Sequence, residues 1–104
     1  MLYMCYGIDG PDGAERREEA RAAHFEYLKK HGDKVVLGGA TLADDSDART
    51  GSVLIVNVPD REAAEEFARE EPLRKAGVFA SYTITRMRRG QWHPENAPST
   101  AQGD

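Results

Sequence analysis

Two short segments, Tyr3-Met4-Cys5-Tyr6 and Val53-Leu54-Ile55-Val56, carry no charged or amide side chain at any position. Successive side chains of a strand point to opposite faces, so a sheet with one wet face alternates polar with apolar. Strands apolar on both faces need cover on both. A chain of 104 residues is long enough for one sheet packed by two helices and too short for a second core. The second cover is therefore most simply another copy of the chain, laid sheet on sheet about a two-fold axis.

The remaining elements follow from local signals. Leu2 to Ile8 reads as a buried strand ending in the turn formers Asp9-Gly10-Pro11-Asp12-Gly13. Asp12 is placed to cap a helix that runs from Arg16 to His31 and stops at Gly32. Its inner stripe is read as Ala20, Ala23, His24, Tyr27, Leu28 and His31, with His31 a cationic end residue. Lys34 to Gly39 and Thr50 to Val58 read as a hairpin around the polar stretch Asp44-Asp45-Ser46-Asp47. Asp60 caps a second helix, which Pro72 interrupts, and Phe79 to Met87 is the last strand. This order, βαββαβ, predicts a ferredoxin-like α+β fold: a four-stranded antiparallel sheet with two helices on one face, dimerising through the other. Residues 1–90 form the domain, and 91–104 read as a polar tail containing Trp92 and His93.

Composition excludes several function classes. Apolar residues make up 39% and charged residues 31%, as in a folded soluble domain. A net charge of −4, with acids and arginines interleaved, gives no field for nucleic acid or an anionic membrane. RNA binding on the open sheet also fails on geometry, because Tyr3 and Tyr6 fall on opposite faces. With no basic leader and no long apolar span, a cytoplasmic location is expected. The lone Cys5 forms no disulfide within the chain and reads as a buried core thiol rather than a nucleophile.

For chemistry, His24 stands out because an imidazole aimed at a sheet serves as a base near neutral pH if a carboxylate orients its other nitrogen. Glu70 and Glu71 precede Pro72 at a helix end, where negative charge opposes the dipole, and a carboxylate kept there implies a partner. Asp44, Asp45 and Asp47 lack calcium-loop spacing, and no metal site is expected. Gly38-Gly39 and Gly51-Ser52 are too short for phosphate cradles, and Ser52 has no nucleophile elbow around it.

The ordered set Arg21-x-x-His24-x-x-Tyr27-Leu28, Leu37-Gly38-Gly39, Gly51-Ser52, Glu71-Pro72 and Ala76-Gly77-Val78-Phe79, together with the opening Met1-Leu2-Tyr3, resembles the YciI (YCII-related) family across roughly residues 1 to 89. The resemblance implies a dimeric ferredoxin-like fold related to muconolactone isomerase, with a His-Asp dyad proposed as the active site. It also implies kinship with a group that dehydrochlorinates a chlorinated hydroxyquinol. Carried over, the histidine falls on His24, its neighbouring arginine on Arg21 and the serine on Ser52; the aspartate position is occupied by Glu71, and Ala40 stands where the family has proline. Two functions follow as expectations. One is a cofactor-independent isomerase or lyase acting on a small cyclic or aromatic substrate. There His24 is the base, Glu71 orients it, and Arg21 or Ser52 binds an anionic oxygen. The other is a non-catalytic ligand-binding or accessory module in which His24 and Glu71 are a structural pair.

Overall fold

In a computed structural model that describes residues 1–103, the chain forms β1 (Leu2–Asp9), α1 (Gly13–Lys30), β2 (Val35–Leu42), β3 (Arg49–Asn57), α2 (Arg61–Glu70), α3 (Pro72–Lys75) and β4 (Phe79–Met87). The four strands make one sheet in the order β2-β3-β1-β4, with every neighbouring pair antiparallel. This is the ferredoxin-like α+β arrangement expected from the element order.

Register separates the sheet into two chemically different faces. Tyr3 lies opposite Val56 and Cys5 opposite Leu54, and all four are buried on the helix side. They form the core with Val58, Ala64, Phe67 and Ala68. The alternate positions place Leu2, Met4 and Tyr6 on the other face, where Met4 pairs with Ile55 and Tyr6 with Val53. An irregularity between Val35 and Leu37 leaves both Val36 and Leu37 exposed at the β2 edge, Leu37 at 61%. The doubly apolar pattern of the central strands thus becomes one face packed by helices and one without a helix, apolar along β1 and β3 and lined by Ser81, Thr83 and Thr85 along β4.

Several local expectations are corrected. Helix α1 begins at Gly13, three residues earlier than Arg16, and Asp12 caps it by position without a side-chain hydrogen bond. Ala23 is exposed, and Arg17 takes a place on the inward stripe with Ala20, His24, Tyr27, Leu28 and His31. The ring of His31 lies 4.4 Å from that of Tyr27, and its Nδ1 is 3.1 Å from Lys34 Nζ. Desolvation, then Lys34 and Lys30, pull its pKa below the ordinary value, so it is a neutral acceptor rather than a cation. Strand β2 continues to Leu42, past Gly39. The second helix ends at Glu70, and Pro72 starts a separate turn of helix. Asp60 does cap α2, accepting from Ala63 N–H at 2.8 Å.

After α3 the chain reverses at Gly77, whose φ of +75° favours glycine and whose position leaves room for Arg16 to reach Ala76 O at 3.2 Å. Beyond Gly90 every described residue is exposed. No described helix is long and apolar enough to cross a membrane.

Because residues 94–103 bury none of their side chains, deleting 94–104 is expected to shift the thermal midpoint by less than about 4 °C. A larger drop in a calorimetric scan would make the tail part of the packed structure.

Candidate active site

The residue before a proline is driven out of helical backbone, and Glu71 obeys, with φ −67° and ψ 126°. It thereby ends α2 and caps α3 at once. Its side chain turns inward and is 2% exposed. Oε2 accepts from Leu73 N–H at 3.1 Å, and Oε1 contacts His24 Nδ1 from the middle of α1. The expected conflict with the helix dipole is therefore reversed: the carboxylate sits at the start of α3, where negative charge is favoured. The expected partner is the imidazole.

A carboxylate offers only acceptors, so Nδ1 is the ring nitrogen that donates to Glu71, and Nε2 is the one not engaged by it. The His24 side chain retains 15% of its surface, unlike that of Glu71. The pair thus combines a held ring with partial access. One turn on, Tyr27 donates to Phe67 O at 2.9 Å, tying α1 to α2. Burial, then the charge of Glu71, push its phenol up to about 12.

The other expected residues are placed differently. Arg21 lies in solvent, 4.0 Å from Glu18 and 5.5 Å from the Phe25 ring centroid, away from the dyad. Ser52 is buried on the helix side of β3, opposite Gly7, with no hydrogen bond to His24 or Glu71 among the described residues.

Two residues not singled out from the sequence join this side of the sheet. Arg17 bonds Asp9 at 2.7 Å and approaches Gly51 O at 3.5 Å, next to Ser52. Its buried Nε has no hydrogen-bond partner. The guanidinium stands 5.9 Å from the Phe79 ring centroid, and that ring covers Gly7, where a Cβ would come within 2.6 Å of it. Arg17 precedes His24 by seven residues, two helical turns, so the spacing puts both on one stripe; that was the legible signal. Asp9 was hidden in a run of turn formers.

Tyr82 also pairs with Gly7 across the sheet, and Arg74 lies 4.5 Å above its ring. Burial, then the charges of Cys5 and Glu71, raise the Tyr82 phenol. Burial likewise raises the Cys5 thiol, outweighing its hydrogen bond to Tyr82, so Cys5 is poorly suited to act as a thiolate. No group of three or more His, Cys, Asp or Glu residues among the described ones is disposed to hold a metal ion.

The sheet order and its helices place the chain in the ferredoxin-like α+β class, with an imidazole-carboxylate contact under the first helix. Residues 1–88 match the YCII-related domain, and the chain belongs to that family. Proteins named YciI from Escherichia coli O6:H1 and Shigella flexneri are each 31% identical over 91 residues, which span 81% of this chain and 93% of the relative. Among solved structures, the chain is similar to 5-chloro-2-hydroxyhydroquinone dehydrochlorinase (TftG) from Burkholderia phenoliruptrix AC1100 in complex with 2,5-dihydroxybenzoquinone. That likeness has 35% identity and a TM-score of 0.77, and it covers 86% of this chain and 96% of the other.

Removing one member of a buried imidazole-carboxylate pair costs more than the contact is worth, because its partners are left unsatisfied. Glu71→Ala is expected to lower the unfolding free energy by about 3 kcal/mol in urea titrations, with Glu71→Gln losing about half as much. Equal small losses would show that the carboxylate does not hold the junction together. For Tyr27, a folded-state value of about 12 lies above the ordinary 10.0. The stabilisation from keeping it protonated is thus complete below the ordinary value and lost as pH rises through the folded one. Tyrosinate absorbance should show Tyr27 ionising only at about 12, a step that Tyr27→Phe removes; a Tyr27 step at the ordinary value would contradict its burial.

Proposed function

We propose that this chain is a cofactor-independent acid/base enzyme of isomerase or dehydrochlorinase type, acting on a small hydroxylated ring through His24 and Glu71. The observation that carries this reading is the dyad itself: Glu71 uses one oxygen to fix Nδ1 of His24 and the other to fix its own position on Leu73 N–H. That leaves Nε2 as the base. The 35% identity to a dehydrochlorinase bound to a dihydroxybenzoquinone supports the substrate class.

In this reading Nε2 takes a proton from a ring hydroxyl or an acidic C–H, and the released pair moves into the ring. In an isomerase the imidazolium returns the proton at another carbon. In an elimination a halide leaves with its bonding pair, so H and halide are lost together and no oxidant is consumed. Glu71 stabilises the imidazolium throughout. Arg17, whose Nε has no partner, is better placed than solvent-facing Arg21 to meet an anionic ring oxygen, with Ser52 close by. The single buried thiol suits a reducing, cytoplasmic setting. The apolar stripe of β1 and β3 on the open face suits a homodimer, since burying apolar surface contributes about 25 cal/mol per Å².

Halide release from chlorinated hydroxyquinols tests the reading. His24→Ala is expected to keep the far-ultraviolet circular dichroism and lose about 10² to 10⁴ in rate. Retained turnover would move the chemistry elsewhere. Calorimetric binding of a dihydroxybenzoquinone by a wild-type chain that turns nothing over would instead identify a ligand-binding module.

A further inference from the structure

Two guanidiniums flank a pair of aromatic rings on the helix side of the sheet, and only one of them has a carboxylate. Arg17 stands 5.9 Å from the Phe79 ring centroid and is held by Asp9 at 2.7 Å. Phe79 and Tyr82 lie side by side with their centroids 5.4 Å apart, and Arg74 stands 4.5 Å from the Tyr82 centroid. That is the shortest cation–aromatic approach among the described residues. Yet Arg74 makes no ion pair and no side-chain hydrogen bond among them.

A basic residue at the end of a helix is ordinarily explained by the dipole. In α3 that account fits Lys75, which is exposed and reaches Glu70 at 3.4 Å. Arg74 is instead half-buried and laid on Tyr82. It follows Glu71, the cap of α3, by three residues, about one turn. Both charges act on one phenol, since Glu71 raises the Tyr82 pKa and Arg74 lowers it. The unpaired guanidinium and the carboxylate that holds His24 therefore share one neighbourhood.

Nothing in that neighbourhood satisfies the Arg74 N–H groups. The oxygens of Glu71 are committed to His24 and to Leu73 N–H, and the Tyr82 hydroxyl is engaged with Cys5, which leaves its ring face to Arg74. A guanidinium laid on an aromatic face keeps its planar fork of donors for an anionic oxygen, and charge-assisted bonds of that kind are about twice as strong as neutral ones. A neutral hydroxyl gains much less.

We propose that Arg74 is a specificity-determining residue, which binds the ionised oxygen of an acidic hydroxylated ring and leaves a second hydroxyl or an acidic C–H to His24. This rests on the acid/base reading above and adds the charge of the substrate, a ring that enters as an anion. Arg17, already held by Asp9, is the weaker of the two cations for that oxygen.

Calorimetric titration with two probes tests the assignment: 2,5-dihydroxybenzoquinone, whose hydroxyls are ionised at neutral pH, and hydroquinone, whose hydroxyls are not. Arg74→Gln is expected to weaken the first about tenfold, as loss of a hydrogen bond to a charged group does, and to change the second by less than about twofold. Arg74→Lys keeps the charge without the fork and should recover part of the loss. Lys75→Gln should leave both probes unchanged. In halide release from chlorinated hydroxyquinols, Arg74→Gln should raise KM about tenfold with kcat within about threefold, as expected when ground state and transition state are bound alike. Equal weakening of both probes would overturn the assignment and make Arg74 a packing support for Tyr82. No change in either would place Arg74 outside the site, and an equal loss in Lys75→Gln would show that charge acts without regard to position. A wild type that binds neither probe would overturn this inference together with the substrate class. A His24→Ala variant that keeps its turnover and its preference for the anionic probe would overturn the base and leave the Arg74 contact standing.

Discussion

The carboxylate of Glu71 is the constraint on which the rest of the site depends. A charge that is 2% exposed is tolerated only when its oxygens are satisfied, and here both are. One oxygen belongs to α1 through His24 and the other to α3 through Leu73, so moving either helix leaves a buried acceptor unsatisfied. Pro72 fixes the backbone that makes this possible, by denying Glu71 a helical conformation. The same charge reaches Tyr27 and Tyr82 and helps keep both phenols protonated. One buried carboxylate thus ties His24 of α1 to the start of α3.

The sheet gives each central strand two roles. Cys5 and Leu54 face the helices while Met4 and Ile55, one residue away, face outward. A slip of one residue would exchange the faces, sending Tyr3 and Cys5 to the open side and breaking the core against Phe67 and Ala68. Arg17, Phe79 and Tyr82 lie around Gly7 on the helix side, with the His24–Glu71 pair farther along α1. The open side holds Met4, Tyr6, Val53 and Ile55 in its centre, with Thr83 and Thr85 beside them on β4. A pair formed through that side leaves the helix side uncovered.

Element order, the core strands and the Asp60 cap were legible because each is set by signals within a few residues. The boundaries that moved have local causes too: Gly13 is accommodated in the first turn of α1, and Pro72 starts a helix as readily as it ends one. The His24–Glu71 contact was legible through the family's motif order, with the longer Glu71 side chain in the aspartate position still reaching the imidazole. Arg21 was misplaced because adjacency in the motif does not say which way a helical side chain points; it lies three residues from His24 yet faces Glu18 and Phe25. Arg17 went unnoticed because a charged residue on an inward stripe resembles a break in the pattern until its partner, Asp9, is seen.

What the sequence by itself determined is the alternation of β1 and β3, the punctuation at Gly10-Pro11, Gly32 and Pro72, and hence four strands and two main helices in one order. These follow from backbone sterics and from the period of apolar side chains, which act along the chain. What the tertiary structure decided is which charges meet. His24 and Glu71 are 47 residues apart, and Arg17 reaches Gly51 across 34. Contacts of that separation depend on how far α1 stands above the sheet and how much water is excluded beneath it. Both are properties of the packed whole, absent from any local stretch of the chain.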